Sequence, residues 1–178
     1  MTLLQSNQPE VLVIRPIEPR DNAVVKSLVV ATLEEFGCVG PGFASSDPEL
    51  EDLYSVYHVP EGETPDRAYW VIYDRVGDRV LGGGGFSRLK CTTVDEGICE
   101  LQKVYFSPEL RGKGFGGKLL LRCIEEAKQA GYREMYLETM PQMASAVGMY
   151  EKFGFRMLPT YKGDTGHRSC TVFMSRLL

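Results

Sequence analysis

The segment RGKGFGGKLL, at positions 111 to 120, contains three overlapping patterns that are typical of phosphate-binding loops. The dinucleotide pattern G-x-G-x-x-G begins at Gly112, and so does the P-loop pattern G-x-x-x-x-G-K-S/T, which the segment matches up to its last position. A third pattern, R-x-x-G-x-G, begins at Arg111. Glycine loops of this kind bind phosphate through backbone N–H groups at the start of a helix. The segment therefore predicts an anion-binding loop, and the surrounding residues decide its ligand.

Two of the three patterns fit their surroundings poorly. A P-loop needs serine or threonine after its lysine to coordinate magnesium, and Leu119 occupies that position. The dinucleotide fold runs its strand directly into the first glycine, whereas the residues SPELR separate Phe106 from Gly112. Glu138 does lie about 20 residues beyond the loop, where that fold places its ribose-binding carboxylate. Too little chain follows for the second half of a dinucleotide fold, so this interpretation is disfavoured.

The third pattern suits a ligand with several phosphates and a long tail that runs back along the preceding strand. Coenzyme A has that shape. The N–H groups and the positive end of the helix dipole would hold its pyrophosphate, and the glycines allow a close approach. Arg111, Lys113 and Lys118 would add positive charge. The alternative is a tight helix entry with solvated basic neighbours.

Composition narrows the class of protein. The 178 residues are 43% hydrophobic and 25% charged, with a net charge of −4, which is typical of a single globular domain over residues 1–178. This balance gives no general attraction to nucleic acid or to an anionic membrane. The start, MTLLQSNQPE, lacks the features of a signal peptide, and no apolar run is long enough for a spanning helix. We therefore expect a cytoplasmic protein that binds neither nucleic acid nor membrane.

The cysteines and histidines do not form a recognised metal motif. The five cysteines are odd in number, widely spread and never in a C-x-x-C pair, which predicts reduced thiols. His58 and His167 are the two histidines, and neither lies at zinc-ligand spacing from the cysteines. No metal site is predicted.

Hydrophobic periodicity predicts alternating strands and helices. The order is strand, helix, several strands, helix, strand, helix and strand, which indicates an α/β sandwich around a mixed sheet. At its centre, residues 98–139 form a strand-helix-strand crossover whose strands should be parallel. The predicted strands cover residues 11–17, 68–74, 79–89, 97–106, 134–140 and 167–177, and the main helices cover 18–36, 112–130 and 143–153.

Two segments resemble a known family. ELQKVYFSPELRGKGFGGKLL (100–120) is similar to the acetyl-CoA motif of the GNAT N-acyltransferases, and MYEKFGF (149–155) resembles a later motif of that family. With the element order, the resemblance covers about residues 11–177. It implies a mixed, mostly antiparallel sheet with splayed parallel central strands and flanking helices. It also implies an N-acetyltransferase that transfers acetyl from acetyl-CoA directly to a primary amine of a small molecule, amino acid or peptide.

The resemblance also assigns cofactor contacts. Backbone N–H groups of Val104 and Phe106 would face the pantetheine and the thioester carbonyl, where an oxyanion develops during acyl transfer. Met143 stands where many relatives have an asparagine that binds the cofactor, so that contact is in doubt. The complete set of acetyl-CoA contacts implied by the resemblance is Val104, Tyr105, Phe106, Arg111, Gly112, Lys113, Gly114, Phe115, Gly116 and Gly117.

Two side chains are the main candidates for proton transfer, and a third is an alternative. Glu100 matches a position where several relatives carry a glutamate that removes the proton of the amine through water. Strand alternation puts Glu100, Gln102, Val104 and Phe106 on one face, so the carboxylate could look into the cleft. Glu138 is a weaker candidate, and either glutamate could instead be structural. Tyr150 aligns with the tyrosine that protonates the leaving thiolate in many relatives, although a buried tyrosine also packs its helix against the sheet.

Other features allow more than one interpretation. The acidic segment with Asp47, Glu49, Glu51 and Asp52 could attract a cationic acceptor or form a solvated helix face. GGGG (82–85) could mark a bulge, the floor of the acceptor site or close packing under a helix. His167 could edge the acceptor pocket or lie on the surface.

Two alternatives at the level of function and the oligomeric state also stay open. The first is a non-catalytic acyl-CoA-binding sensor on the same fold. The second is a protein-lysine or N-terminal acetyltransferase, although the net acidity favours a small amine acceptor. The chain could act as a monomer or as a homodimer.

Overall fold

The computed structural model of the chain describes residues 11–178; the segment on which the prediction of no signal peptide rests lies outside them. Seven strands form one sheet, and four α-helices pack on its two faces. The strands are β1 Leu12–Pro16, β2 Ala68–Asp74, β3 Arg79–Arg88, β4 Ile98–Phe106, β5 Glu134–Thr139, β6 Arg156–Met157 and β7 Val172–Leu177. The helices are α1 Asn22–Glu35, α2 Leu53–Tyr57, α3 Phe115–Gln129 and α4 Ala144–Lys152.

The sheet order is β1-β2-β3-β4-β5-β7-β6, and every neighbouring pair is antiparallel except β4 and β5. The predicted mixed sheet with one parallel central pair is therefore confirmed. β4 and β5 pair only over Ile98–Glu100 and Glu134–Tyr136, and beyond Glu100 they have no register with each other. This separation leaves an open slot beside the second half of β4.

Each face of the sheet carries its own hydrophobic cluster. On one face lies the apolar side of α3, whose residues Leu119, Leu120, Cys123, Ile124 and Ala127 are all buried. The other face is covered by α1, α2 and the segment between them. The slot between β4 and β5 is therefore bounded by α3 on one face and by α1 on the other.

A β-bulge in β4 overturns one sequence prediction. Lys103 has a left-handed backbone, with φ of 51°, and the register with β3 shifts between Gly83 and Gly85. An extra residue in a strand reverses the alternation that follows it. Glu100 and Gln102 therefore share a cavity on the α1 face, whereas the side chains of Val104 and Phe106 join the cluster under α3. The prediction that all four share one face is wrong.

The four glycines of β3 lie opposite this bulge. A Cβ on Gly84 would lie 2.9 Å from Cγ2 of Val104 and 3.2 Å from Cδ2 of Leu119. On the opposite face, a Cβ on Gly83 would lie 2.8 Å from the Tyr69 ring. The structure thus confirms the bulge and the close packing, the first and third interpretations of GGGG.

The boundaries differ most after α4. The strand predicted from residue 167 begins at Val172, and residues 158–171 form a long loop between β6 and β7. Within residues 11–178, no helix is both long enough and apolar enough to cross a membrane.

Candidate active site

The anion-binding loop precedes α3, which begins at Phe115 and not at the predicted residue 112. Gly112 and Gly114 have φ of 74° and 81°, values that a glycine adopts without strain. Within residues 11–178, five successive or nearly successive amides have no hydrogen-bond acceptor. They belong to Gly112, Gly114, Phe115, Gly116 and Gly117. Five unpaired N–H groups at the start of a 15-residue helix suit a pyrophosphate well.

The glycines within α3 have a second role. A Cβ on Gly116 would lie 2.9 Å from Sδ of Met149, and a Cβ on Gly117 would lie 3.1 Å from the Phe153 ring. Both neighbours belong to α4 or its C-terminal end. These two glycines therefore bring the first turn of α3 against α4.

The Arg111 side chain does not point at the open amides. Its two terminal nitrogens donate to the carboxylate of Glu35 at 2.6 and 2.8 Å, and its Nε donates to the carbonyl of Phe106 at 3.0 Å. The ion pair holds the pKa of Glu35 below its usual value. In this arrangement Arg111 ties the loop to the end of α1, which differs from the predicted role of its charge beside the phosphates.

The other two basic side chains of this segment, those of Lys113 and Lys118, are exposed to solvent. Lys113 is exposed, and Nζ of Lys118 lies 4.9 Å from the centre of the Phe115 ring. The amides of Arg111 and Lys113 are used within the chain, since they donate to the carbonyls of Pro108 and Leu110.

Glu100 lies in an enclosed cavity of about 50 Å³ on the α1 face and is only 3% exposed. Nε2 of Gln102 donates to its carboxylate at 2.7 Å, and Oε1 of Gln102 accepts from the hydroxyls of Tyr57 and Ser87. Burial raises the pKa of Glu100, against the opposing effects of Gln102, His167 and Lys103. A carboxylate in such a place can hold a proton more readily than an exposed one.

Lys103 forms a charge network that sequence analysis missed. Its side chain is 2% exposed, and its Nζ lies 2.9 Å from Asp47 and 3.1 Å from Glu49. Glu49 also binds Lys90 at 2.8 Å. Asp47 and Glu49, two residues of the acidic segment, therefore pair with buried Lys103. They neither belong to a solvated helix face nor remain free to attract a cationic acceptor. The one available signal was a lysine inside a predicted strand, opposite the glycines.

A second pocket, of about 310 Å³, adjoins the Glu100 cavity. It lies between the end of β5 and the loop 158–171, and Glu138, His167 and Cys170 line both spaces. The Glu138 carboxylate accepts from the hydroxyls of Tyr136 at 2.8 Å and Thr165 at 2.9 Å. We call the first space the inner cavity and the second the outer pocket.

Tyr150, in α4, is buried in the cluster under α3 and packs against Phe155, with ring centres 5.8 Å apart. Burial raises the pKa of Tyr150, so its phenol stays protonated. Its hydroxyl has no hydrogen-bond partner among residues 11–178. The ring therefore packs the helix while the hydroxyl is left to donate elsewhere.

Met143 caps α4 and lines the inner cavity. Its sulfur accepts from the hydroxyl of Thr139 at 3.7 Å. The thioether therefore closes the cavity and offers no amide group of the kind the resemblance expects at this position.

Comparison with known proteins decides the family. The family model described as the acetyltransferase (GNAT) family matches residues 33–155. An uncharacterized N-acetyltransferase of Escherichia coli K12, YjgM, is 38% identical over 172 residues, which cover 96% of this chain and 97% of that protein. The chain belongs to the GNAT acetyltransferase family. It is accordingly an acetyltransferase.

Solved structures show the same fold. A GNAT acetyltransferase of Staphylococcus aureus Mu50 has a TM-score of 0.73 at 21% identity and covers 93% of this chain and 98% of its own. The yncA protein of Salmonella typhimurium, solved with its cofactor acetyl-CoA, has a TM-score of 0.69 at 21% identity, with 93% of each chain covered. The acetyltransferase thus shares its architecture with a protein that holds acetyl-CoA.

Within residues 11–178, no group of three or more histidine, cysteine, aspartate or glutamate side chains could hold a metal ion.

Proposed function

We propose that the acetyltransferase moves acetyl from acetyl-CoA directly to a primary amine of a small molecule, an amino acid or a short peptide. The observation that carries the proposal is the slot between β4 and β5. It has unpaired N–H groups of the glycine loop at one end and the enclosed Glu100 carboxylate beside it.

The residues present suit acetyl-CoA. The five open amides from Gly112 to Gly117 would hold its pyrophosphate. Val104, Tyr105 and Phe106, on the part of β4 that does not pair with β5, would line its pantetheine arm. When bound, acetyl-CoA supplies the activated acetyl group.

Two side chains of the chain would move protons. An amine acceptor arrives as an ammonium at neutral pH and cannot attack until it loses a proton. Glu100 would take that proton, and the raised pKa of its carboxyl helps it to do so. The Tyr150 hydroxyl would donate to the departing thiolate, since it is protonated and without a partner in the described part of the chain. The second proton that the nitrogen loses as it becomes an amide would restore the phenol, so each turnover releases one proton overall.

The outer pocket favours a small acceptor. Its volume of about 310 Å³ is at the lower end of the range for small-molecule sites. Glu138 lies between the pocket and the inner cavity, and within residues 11–178 it accepts only from hydroxyl groups and pairs with no cation. A carboxylate without a partner cation suits an ammonium.

The test is the release of thiol from acetyl-CoA across a panel of monoamines, amino acids, polyamines and peptides. The proposal expects amine-dependent release and an acetylated product of matching mass. Tight acetyl-CoA binding with no release for any amine would instead support an acyl-CoA sensor. Activity confined to folded proteins would support a protein-lysine or N-terminal acetyltransferase.

A further inference from the structure

Proton removal by Glu100, part of the proposed function, poses a problem that the fold must solve. Each acceptor would leave one proton on the carboxyl, and that proton must reach solvent before the next turnover. Glu100 is 3% exposed and faces an inner cavity of only about 50 Å³. Such a cavity has room for a few waters and leaves Glu100 very little contact with bulk solvent.

Three side chains line both the inner cavity and the outer pocket, and two of them are poor proton carriers. The Glu138 carboxylate is already held by the hydroxyls of Tyr136 and Thr165. Burial raises the pKa of the Cys170 thiol to about 12, so it forms little thiolate. The third side chain is His167, whose ring can accept a proton at one nitrogen while the other stays bonded.

Asp47 fixes the orientation of this ring. Nε2 of His167 lies 3.1 and 3.0 Å from the two carboxylate oxygens of Asp47, and Asp47 is itself held by buried Lys103. The His167 side chain is 14% exposed, so it is neither fully enclosed nor a surface group. Nε2 therefore carries its hydrogen toward Asp47. Nδ1 has no protein partner within residues 11–178.

We propose that His167, oriented by Asp47, carries the acceptor's proton from Glu100 to solvent in the outer pocket. The O–H bond of the Glu100 carboxyl breaks, and the proton passes through water in the inner cavity to Nδ1 of neutral His167. The imidazolium then releases one proton to water in the outer pocket. The balance is one proton moved from the ammonium to solvent, with no change in oxidation state.

The surrounding charges set the pH range of this step. Glu100 and Lys103 face the ring from β4, Glu138 faces it from β5, Asp47 lies across from it, and Asp164 and Arg168 lie in its own loop. Burial lowers the pKa of His167, but the bonds to Asp47 and the charge of Glu100 outweigh burial and raise it. The neutral form therefore predominates only above the ordinary histidine range.

The chain offers a matched control, because His58 is its one other histidine. His167→Gln should lower kcat by about tenfold or more and remove the pH dependence due to the imidazole. Added imidazole should restore part of the rate. His58→Gln, at an exposed position, should leave kcat and its pH dependence unchanged. An unaltered kcat and pH profile in His167→Gln would overturn the proposal.

A second readout needs neither turnover nor a His167 variant. The two histidines can be titrated by NMR and assigned with His58→Gln. Glu100→Gln and Asp47→Asn should each lower the pKa of His167, whereas Glu125→Gln, on the exposed side of α3, should not. If the pKa of His167 were the same in Glu100→Gln as in the unaltered protein, the relay would be overturned. Absence of thiol release from the unaltered protein would refute the proposed function, whereas release by His167→Gln at the unaltered rate and with the unaltered pH profile would refute the relay alone.

Discussion

At the scale of single residues, the ring of Tyr150 packs in the core, and its hydroxyl is the part proposed to take part in the reaction. Its ring is buried against Phe155, whereas its hydroxyl has no partner among residues 11–178. Tyr150→Phe should therefore keep the melting temperature and lower kcat by roughly 100-fold, because only the proton donor is lost. Steady-state kinetics and thermal unfolding check this.

Tyr54→Phe, in α2, is the control and should leave kcat unchanged. If Tyr150→Phe also kept the full kcat under conditions where acetyl transfer limits the rate, Tyr150 would have no part in the reaction.

Sequence patterns identified some of these residues and missed others, for physical reasons. Glu100 and Tyr150 could be named as candidates because each lies inside a recognisable motif. Lys103 was missed, and Asp47 was named without its buried partner, because their importance comes from an ion pair between segments more than 50 residues apart, which no local pattern encodes. The placement of His167 depends in the same way on a contact across 120 residues.

At the scale of elements, the two ends of α3 provide a test of the anion-binding loop. Gly114 precedes the helix with φ of 81°, and Gly131 follows it with φ of 87°. A Cβ at either position would meet nothing within 4 Å. Alanine at each should therefore cost a similar free energy of unfolding, about 1–2 kcal/mol, from backbone strain alone.

Only Gly114→Ala should weaken acetyl-CoA binding, because it distorts the loop that presents the open amides. Calorimetric titration of acetyl-CoA into both variants makes the comparison. Equal affinity losses in Gly114→Ala and Gly131→Ala would show that the loop has no specific role.

Helices and strands were largely predictable from hydrophobic periodicity, as for β2, predicted and observed over residues 68–74. The bulge at Lys103 could not be predicted in this way, because the alternation of side chains between the two faces of a strand assumes that its pairing with the next strand is uninterrupted. The start of β7 was misplaced by five residues, since the side chains of the preceding loop are fixed by contacts to β5 and to Asp47.

At the scale of the whole molecule, the Lys103 network joins the central strand to the segment before α2. Burial raises the pKa of Asp47 and of Glu49, but the hydrogen bond of His167 to Asp47, that of Lys90 to Glu49 and the charge of Lys103 beside both outweigh it and lower the two pKa values. Groups with lowered pKa values stabilise the fold above their ordinary pKa, about 4, and this stabilisation is lost as pH falls below it. The free energy of unfolding should therefore decrease between pH 6 and pH 3.

Lys103→Met should reduce the free energy of unfolding at pH 7 by about 1–3 kcal/mol, because both carboxylates lose their buried partner but keep some access to water. The free energy of unfolding of Lys103→Met should also vary less between pH 6 and pH 3 than that of the unaltered protein. Lys26→Met, which removes an exposed pair with Glu51, should cost less than about 0.5 kcal/mol. Denaturant unfolding of the two variants at several pH values measures these losses. Equal losses of free energy in Lys103→Met and Lys26→Met would contradict the importance given to the Lys103 network.

The most direct test of acetyl transfer beside Glu100 is the pH dependence of kcat in Glu100→Gln, with acetyl-CoA and the best amine. Loss of a positioned base predicts a decrease of about 10²–10⁴-fold near neutral pH, which shrinks as pH rises and the free amine becomes abundant. Acetyl-CoA affinity should be unchanged. A Glu100→Gln enzyme with the same kcat and the same pH profile as the unaltered enzyme would contradict the account.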